Sequence, residues 1–258
     1  MRKRLWAVSG ALCVLAMLGL SAALRAQAPE IKPKPPLYTY IADWQIPRAN
    51  WGDVDKIVEP IKGVLDQSLS DGTITGYGSD VNLVHQLDAP THSTWWSAPS
   101  FAGILKALDR IHASGVARTP VLNDAKHWDE VLVSRYYNSK SGSYKDAYIH
   151  VGLYKLKADA PEDAIEHLSE HLVVPELEKL LADGTIVAYS IDTLAIHTEA
   201  PGTFAIVYFT PTADGLDTVQ AAVRGTAKDH PLGFDAFDAF TDDSGHRDEL
   251  VRTDATFK

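Results

Sequence analysis

The chain is almost without cysteine. Its one cysteine, Cys13, lies in an apolar N-terminal stretch. The body of the protein therefore forms no disulfide, no thiolate metal site and no cysteine nucleophile. Leu12 stands directly before Cys13, where a lipid-attachment signal wants a small residue, which argues against lipidation. Stability must come from an ordinary core, and about 230 residues suffice to build one. Positive charge is scarce as well: 24 Lys and Arg face 34 Asp and Glu, for a net charge of −10. Arg2, Lys3, Arg4 and Arg25 all fall in the leader, which holds no acid, so the remainder carries −14. Such a surface repels phosphate backbones and anionic lipid heads, which argues against nucleic acid as a partner. A second long apolar run is missing, so no membrane span is expected once the leader is cleaved. There is no nucleotide-binding glycine loop and no G-x-S-x-G elbow.

What is present begins with a targeting signal. Arg2, Lys3 and Arg4 precede an uncharged apolar run from Leu5 to Leu24, and small residues follow at Ala26 and Ala28. This order is that of a secretory signal peptide over residues 1–28, cleaved after Ala26 or Ala28. An uncleaved anchor is the alternative, because the run is long enough to span a bilayer. The expected location is periplasmic or secreted. Residues 29–36, PEIKPKPP, read as a stiff proline-rich linker.

The rest of the chain is an internal repeat. Leu69-Ser70-Asp71-Gly72-Thr73-Ile74 returns 112 residues later as Leu181-Ala182-Asp183-Gly184-Thr185-Ile186. The same offset pairs Tyr77 with Tyr189, Asp80 with Asp192, His85 with His197, and Gly103 with Gly215. With a small shift, Tyr38 aligns with Tyr148, and His127-Trp128-Asp129-Glu130 with His246-Arg247-Asp248-Glu249. Each unit, 37–145 and 147–258, reads as the element string βαββαβ. Pro60 and Pro175 are expected to bend or interrupt the first helix of each unit.

The string βαββαβ is the split βαβ, ferredoxin-like motif. Two tandem copies make an α+β protein in which the bare faces of two sheets cover each other. On this topology and duplication the chain resembles the dimeric α/β-barrel superfamily in a single-chain form. The resemblance covers nearly all of residues 37–258, and it implies a single-chain α/β barrel. That superfamily includes small monooxygenases, lactone isomerases and haem-dependent enzymes, so fold alone selects no reaction.

Candidate site residues come from strand alternation. In the first strand of the second unit, Ile149, Val151 and Leu153 share one face, and Tyr148, His150, Gly152 and Tyr154 share the other. The first unit shows Tyr38, Tyr40, Ala42 and Trp44 on one side. The aliphatic set suits packing under helices. The aromatic set, Tyr40, Trp44, His150 and Tyr154, is expected to face the space between the two sheets, as a ligand pocket or a filled core. Tyr77 with His85, and Tyr189 with His197, are duplicated pairs about 26 Å apart along a strand. They meet only if one unit brings its tyrosine to the other unit's histidine. His127, Asp129 and Glu130, with His246, Asp248 and Glu249, are expected to form exposed ion pairs. His167-Leu168-Ser169-Glu170-His171 matches the H-x-x-E-H pattern of the inverzincin metallopeptidases, with Glu249 as a candidate third zinc ligand. The matching five residues have no counterpart in the first unit, and a solvated helix face is the preferred reading of them.

The leading expectation is an exported protein that binds a small apolar or aromatic molecule between its two units, with catalysis open. Three alternatives stand beside it: a haem- or metal-dependent α/β-barrel enzyme, a zinc metallopeptidase, and a non-catalytic structural or interaction protein. Exposed sheet edges permit a homodimer.

Overall fold

The computed structural model describes residues 31–258 apart from 88 and 117. The signal peptide and its cleavage site lie outside the described residues. Among those residues no helix is long and apolar enough to cross a membrane. The strands are β1 (Leu37–Gln45), β2 (Gly76–Asn82), β3 (His92–Ala98), β4 (Lys126–Ser139), β5 (Gly142–Lys155), β6 (Ala188–Leu194), β7 (Thr203–Thr210) and β8 (Arg247–Phe257). The helices are α1 (Asp55–Ser70), α2 (Phe101–Ser114), α3 (Ala164–Leu168), α4 (Val174–Asp183), α5 (Ala213–Asp229) and α6 (Pro231–Phe240).

The eight strands form one closed antiparallel barrel in the order β1-β3-β2-β8-β5-β7-β6-β4, with β4 returning to β1. Within each half the run is fourth, first, third, second strand. The halves are joined at β2–β8 and at β4–β6. The loops β2–β3 and β6–β7 lie at the same end of the barrel, because Asn82 pairs toward Val251 and Thr193 pairs with Phe204. The segment before β1 is held on the barrel wall: Lys34 N–H donates to Arg135 O, and Tyr137 OH donates to Pro35 O.

The strongest motif of the repeat is a helix stop. Gly72 and Gly184 take positive φ, 76° and 88°, which favours glycine. Asp71 and Asp183 each accept the N–H of the threonine two residues on. Ile74 and Ile186 then plug the core with no exposure. Ser100 and Thr212 cap α2 and α5 by accepting from Gly103 and Gly215 N–H. Pro60 stays inside a continuous α1, whereas the turn before Pro175 widens into a π segment, Ser169–Val173, between α3 and α4. Such a bulge absorbs the N–H that proline lacks.

The faces of the strands are the reverse of the sequence expectation. Ile149, Val151 and Leu153 line the barrel interior. Tyr40 packs outward against Trp96 and the α1–α2 layer, together with Leu65 and Ile104. Tyr154 packs outward against Phe237 of α6. The physical reason is hydrogen bonding. An aromatic with a polar tip needs a partner, and charged helix residues supply one outside the barrel: Tyr77 donates to Asp66, Tyr136 to Glu170 and Tyr189 to Glu178. Short branched side chains suit the narrow lumen of an eight-stranded barrel.

Candidate functional site

The first half holds a cavity of about 350 Å³ between the outer face of β1, β2 and β3 and the helices α1 and α2. Its walls are Trp44, Ile46, Val54, Ile57 and Leu122. Its polar lining includes Asp80, His112, Arg252 and Thr253 besides a set of four: Tyr40, His92, His127 and Asp129. These four differ in how much of their bonding capacity is already used.

His127 is fully engaged. Its Nδ1 donates to Asp43 O at 2.9 Å, and its Nε2 lies 3.2 Å from Asp129 Oδ1. Its ring stacks on Trp44 at 3.8 Å and 16°. Burial works against its charge, but the bonds to Asp129 and to Asp43 O outweigh burial and raise its pKa. For Asp129, burial is likewise outweighed by the bonds from His127 and Tyr40, which lower its pKa. Burial, then the bond to Asp129, pushes the Tyr40 hydroxyl well up. The set is a clasp: one carboxylate joins a tyrosine of β1 to a histidine of β4.

His92 is different. Thr91 Oγ1 has one proton, which it donates to Trp44 O at 3.1 Å, and it accepts Ile46 N–H at 3.0 Å. In the tautomer that keeps this bond to Trp44 O, the 3.0 Å contact with His92 Nδ1 uses a proton from the ring. In that tautomer Nδ1 is the N–H, and Nε2 carries a lone pair. Burial first, and the nearby His85 second, lower the His92 pKa to about 4. The imidazole is thus neutral near pH 7 and can accept a hydrogen bond. Trp51 packs its ring edge against His92 at 5.4 Å and against His85 at 5.0 Å.

The second half repeats the clasp with one exchange. His150 stands where the first half has Tyr40. Its Nε2 is 3.4 Å from Asp248, whose other oxygen is 3.5 Å from His246 Nε2. His246 Nδ1 donates to Leu153 O at 3.0 Å, and Tyr154 stacks on the His246 ring at 4.5 Å. Burial lowers the His150 pKa, and its Nδ1 has no partner. Here α6 covers the aromatic face, with Phe237 edge-on to Tyr154 at 5.0 Å.

A second cavity, about 560 Å³, is the barrel lumen. Asp43, Asp80, Glu130, Asp192 and Glu249 line it. The duplicated Glu130 and Glu249 were expected in exposed ion pairs. They point inward instead, because each sits one residue from an outward aspartate on its strand. Burial raises the pKa of both, despite the Arg247 side chain nearby.

The expected residues scatter over these places. Tyr40, Trp44, His150 and Tyr154 face the helices and not the space between the halves. Tyr77 and Tyr189 are buried under α1 and α4, bonded to Asp66 and Glu178. His85 and His197 lie exposed in the two hairpin loops. The inverzincin set does not assemble. His167 and His171 have rings 4.7 Å apart, but Glu249 faces the lumen and Glu170 accepts from Tyr136. Among the described residues no three His, Cys, Asp or Glu are placed to hold a metal ion. His92 was missed. Its sequence signal, a Thr-His pair opening a strand after a proline, is too common to stand out.

No protein-family model matches the chain, and no curated protein matches it. Solved structures do. A proposed monooxygenase from Lactobacillus acidophilus NCFM matches with a TM-score of 0.62 at 12% identity, over 87% of this chain and 97% of that one. A proposed monooxygenase from Fusobacterium nucleatum matches at 0.60 and 7%, over 87% and 95%. An anthrone oxidase-like protein matches at 0.51 and 10%, over 86% and 94%. The shared feature is the fold, an α+β protein with a closed eight-stranded antiparallel barrel.

Proposed function

We propose that this chain is an exported α/β-barrel protein, built of two ferredoxin-like halves, that binds a small aromatic molecule bearing one hydrogen-bond donor. The site is the cavity between sheet and helices in the first half. The observation that carries this reading is buried His92, with Nδ1 held by Thr91 and Nε2 making no hydrogen bond among the described residues, at the edge of a cavity with apolar walls and a polar rim. A buried neutral imidazole with an open nitrogen binds a ligand hydroxyl well and one without a donor poorly. Trp44 and Ile57 supply apolar wall. The named functions of the fold neighbours are in line with an enzyme acting on a small molecule, although the likeness is one of fold. In that reading His92 orients the ligand hydroxyl by accepting its hydrogen bond. Haem fits these residues poorly. His92 Nε2 is an axial ligand of the right kind, but Trp51 packs on the ring. The cavity also lies at the small end of the range for drug-sized ligands.

The test is a fluorescence titration of the chain's tryptophans, Trp44 of the cavity wall among them, with 2-naphthol and with its methyl ether. The naphthol is expected to bind at least about tenfold tighter, a difference of about 1.4 kcal/mol. His92→Phe is expected to abolish the preference. Equal affinity for the two in the unaltered protein overturns the reading. Export is tested by N-terminal sequencing of the protein from the periplasmic fraction, where a start at residue 27 or 29 is expected.

A further inference from the structure

We propose that the barrel lumen is a second ligand site, one for an organic ammonium ion with an apolar body. The head sits among Asp43, Asp80 and Glu130, and the body lies toward Trp95 and Phe209.

The lumen is graded along its axis. At the end away from the hairpin loops, Trp95, Phe209 and Phe257 form a floor, with ring centroids 5.4–5.8 Å apart. Ile149, Val151 and Val251 make the middle apolar. Asp43 and Asp80 lie on the loop side of Trp95, as the register shows: Asp43 is opposite Ser93, Ser93 opposite Asp80, and Asp80 opposite Thr253, while Glu130 is close enough to raise the Asp43 pKa. A head-and-body ligand matches such a gradient, and a fully apolar one leaves the carboxylates without a partner.

The carboxylates are built into the wall and are not paired. Asp43 is 6% exposed and accepts from Ser93 Oγ at 2.5 Å on Oδ1. Its Oδ2 makes no hydrogen bond among the described residues, and the side chain lines the lumen. Asp80 accepts from Trp95 Nε1 at 3.3 Å. Beside it on β8, Thr253 is 1% exposed, and its hydroxyl makes no bond of normal geometry although it lies near enough to favour the charged carboxylate. Among the described residues no Lys, Arg or His forms an ion pair with Asp43, Asp80 or Asp192. Arg247, in the lumen lining, is 3.8 Å from Glu249 and also favours the charged form of Glu130. A metal ion demands three converging donors, and no such set occurs among the described residues. An ammonium head with several N–H donors tolerates the looser spread.

Burial and mutual repulsion hold these acids partly protonated. Asp43 is pushed up to about 7 by burial, against the bond from Ser93 and with Glu130, Glu249 and Asp80 facing it. Asp80 is pushed up to about 7 by burial, with Thr253, Trp95 and Asp254 around it. A bound cation reverses that cost, so binding strengthens as the pH rises through 7. An alkylammonium keeps its own charge to about pH 10.

The experiment is calorimetric titration at pH 8 with n-octylammonium, n-octanol and octanoate. Octylammonium is expected to bind saturably and at least about tenfold tighter than octanol, and octanoate is expected not to bind. The octylammonium affinity is expected to fall at least about fivefold at pH 5.5. The double variant Asp43→Asn, Glu130→Gln is expected to bring octylammonium down to the octanol value. Octanol equalling octylammonium in the unaltered protein, or no saturable binding of octylammonium, overturns the proposal without any variant. Octylammonium and 2-naphthol are expected to bind at once. Competition between them places octylammonium in the sheet–helix cavity and overturns the lumen site alone, whereas failure of naphthol binding leaves it standing.

Discussion

At the scale of single residues, burial sets the chemistry of this protein through protonation. Asp43 has a folded pKa of about 7 against 3.8 for the free side chain. A raised carboxyl pKa means that the unfolded chain releases the proton first. Stability is therefore lost as the pH rises from about 4 to about 7, and the full penalty remains above that. Asp43→Asn removes the ionising group and keeps an acceptor for Ser93. The variant is expected to unfold several degrees higher than the unaltered protein at pH 8 and at nearly the same temperature at pH 4.5, by calorimetry. His127 has the opposite origin and the same direction. Its raised pKa comes from partners gained on folding, so its contribution is full below the unfolded value near 6.5 and fades as the pH climbs past the folded one. His127→Ala is expected to cost about 1–3 kcal/mol at pH 6 and less at pH 9, read from urea unfolding at the two pH values.

Among elements, the repeat shows what packing demands twice. Gly103 and Gly215 open the first turns of α2 and α5. A Cβ on Gly103 would lie 2.9 Å from Thr73 O and 2.8 Å from Ala98 Cβ. One on Gly215 would lie 3.1 Å from Thr185 O and 2.8 Å from Thr210 Cβ. A backbone oxygen cannot swing aside, so the helix must move off the sheet. Gly103→Ala is expected to destabilise the fold by about 1–3 kcal/mol, with a lower Tm and with the near-ultraviolet signal of buried Trp96 altered, because Trp96 Nε1 donates to Ile104 O on the displaced helix. The duplicated Asp-Gly stop and this glycine pair were legible in the chain because one local geometry recurs at a fixed offset. Helix α6 was not legible. It exists in one half only, so repetition gives no second copy to read it from, and its role, covering Tyr154, is a tertiary contact.

For the whole molecule, closure of the barrel is what ties the halves together. β2 finds its outer partner in β8, and β6 finds its outer partner in β4. A half alone would expose these edges and one wall of the lumen, including Ile41, Trp95 and Leu132. Residues 37–145 expressed alone are therefore expected to pair with a second copy or to aggregate, and not to run as a monomer in size-exclusion chromatography. A stable monomeric half would contradict the barrel as one cooperative unit.

The sequence by itself determined the element string, the duplication, and the lack of disulfide and thiolate chemistry, because periodicity, helix stops and composition are properties of short windows. Strand alternation also separated Ile149, Val151 and Leu153 from His150 and Tyr154 correctly. Only the tertiary structure decided which of those two faces turned inward. Alternation defines two sides and carries no label for the lumen. The label came from partners far along the chain: Asp66, Glu170 and Glu178 on the helices satisfy the tyrosine tips, while β3 and β8 bring Ser93 and Thr253 beside the inward carboxylates. His92 followed the same logic. Its Nδ1 is held through Thr91, whose hydroxyl also reaches Trp44 O, a strand away in space and 47 residues away in sequence.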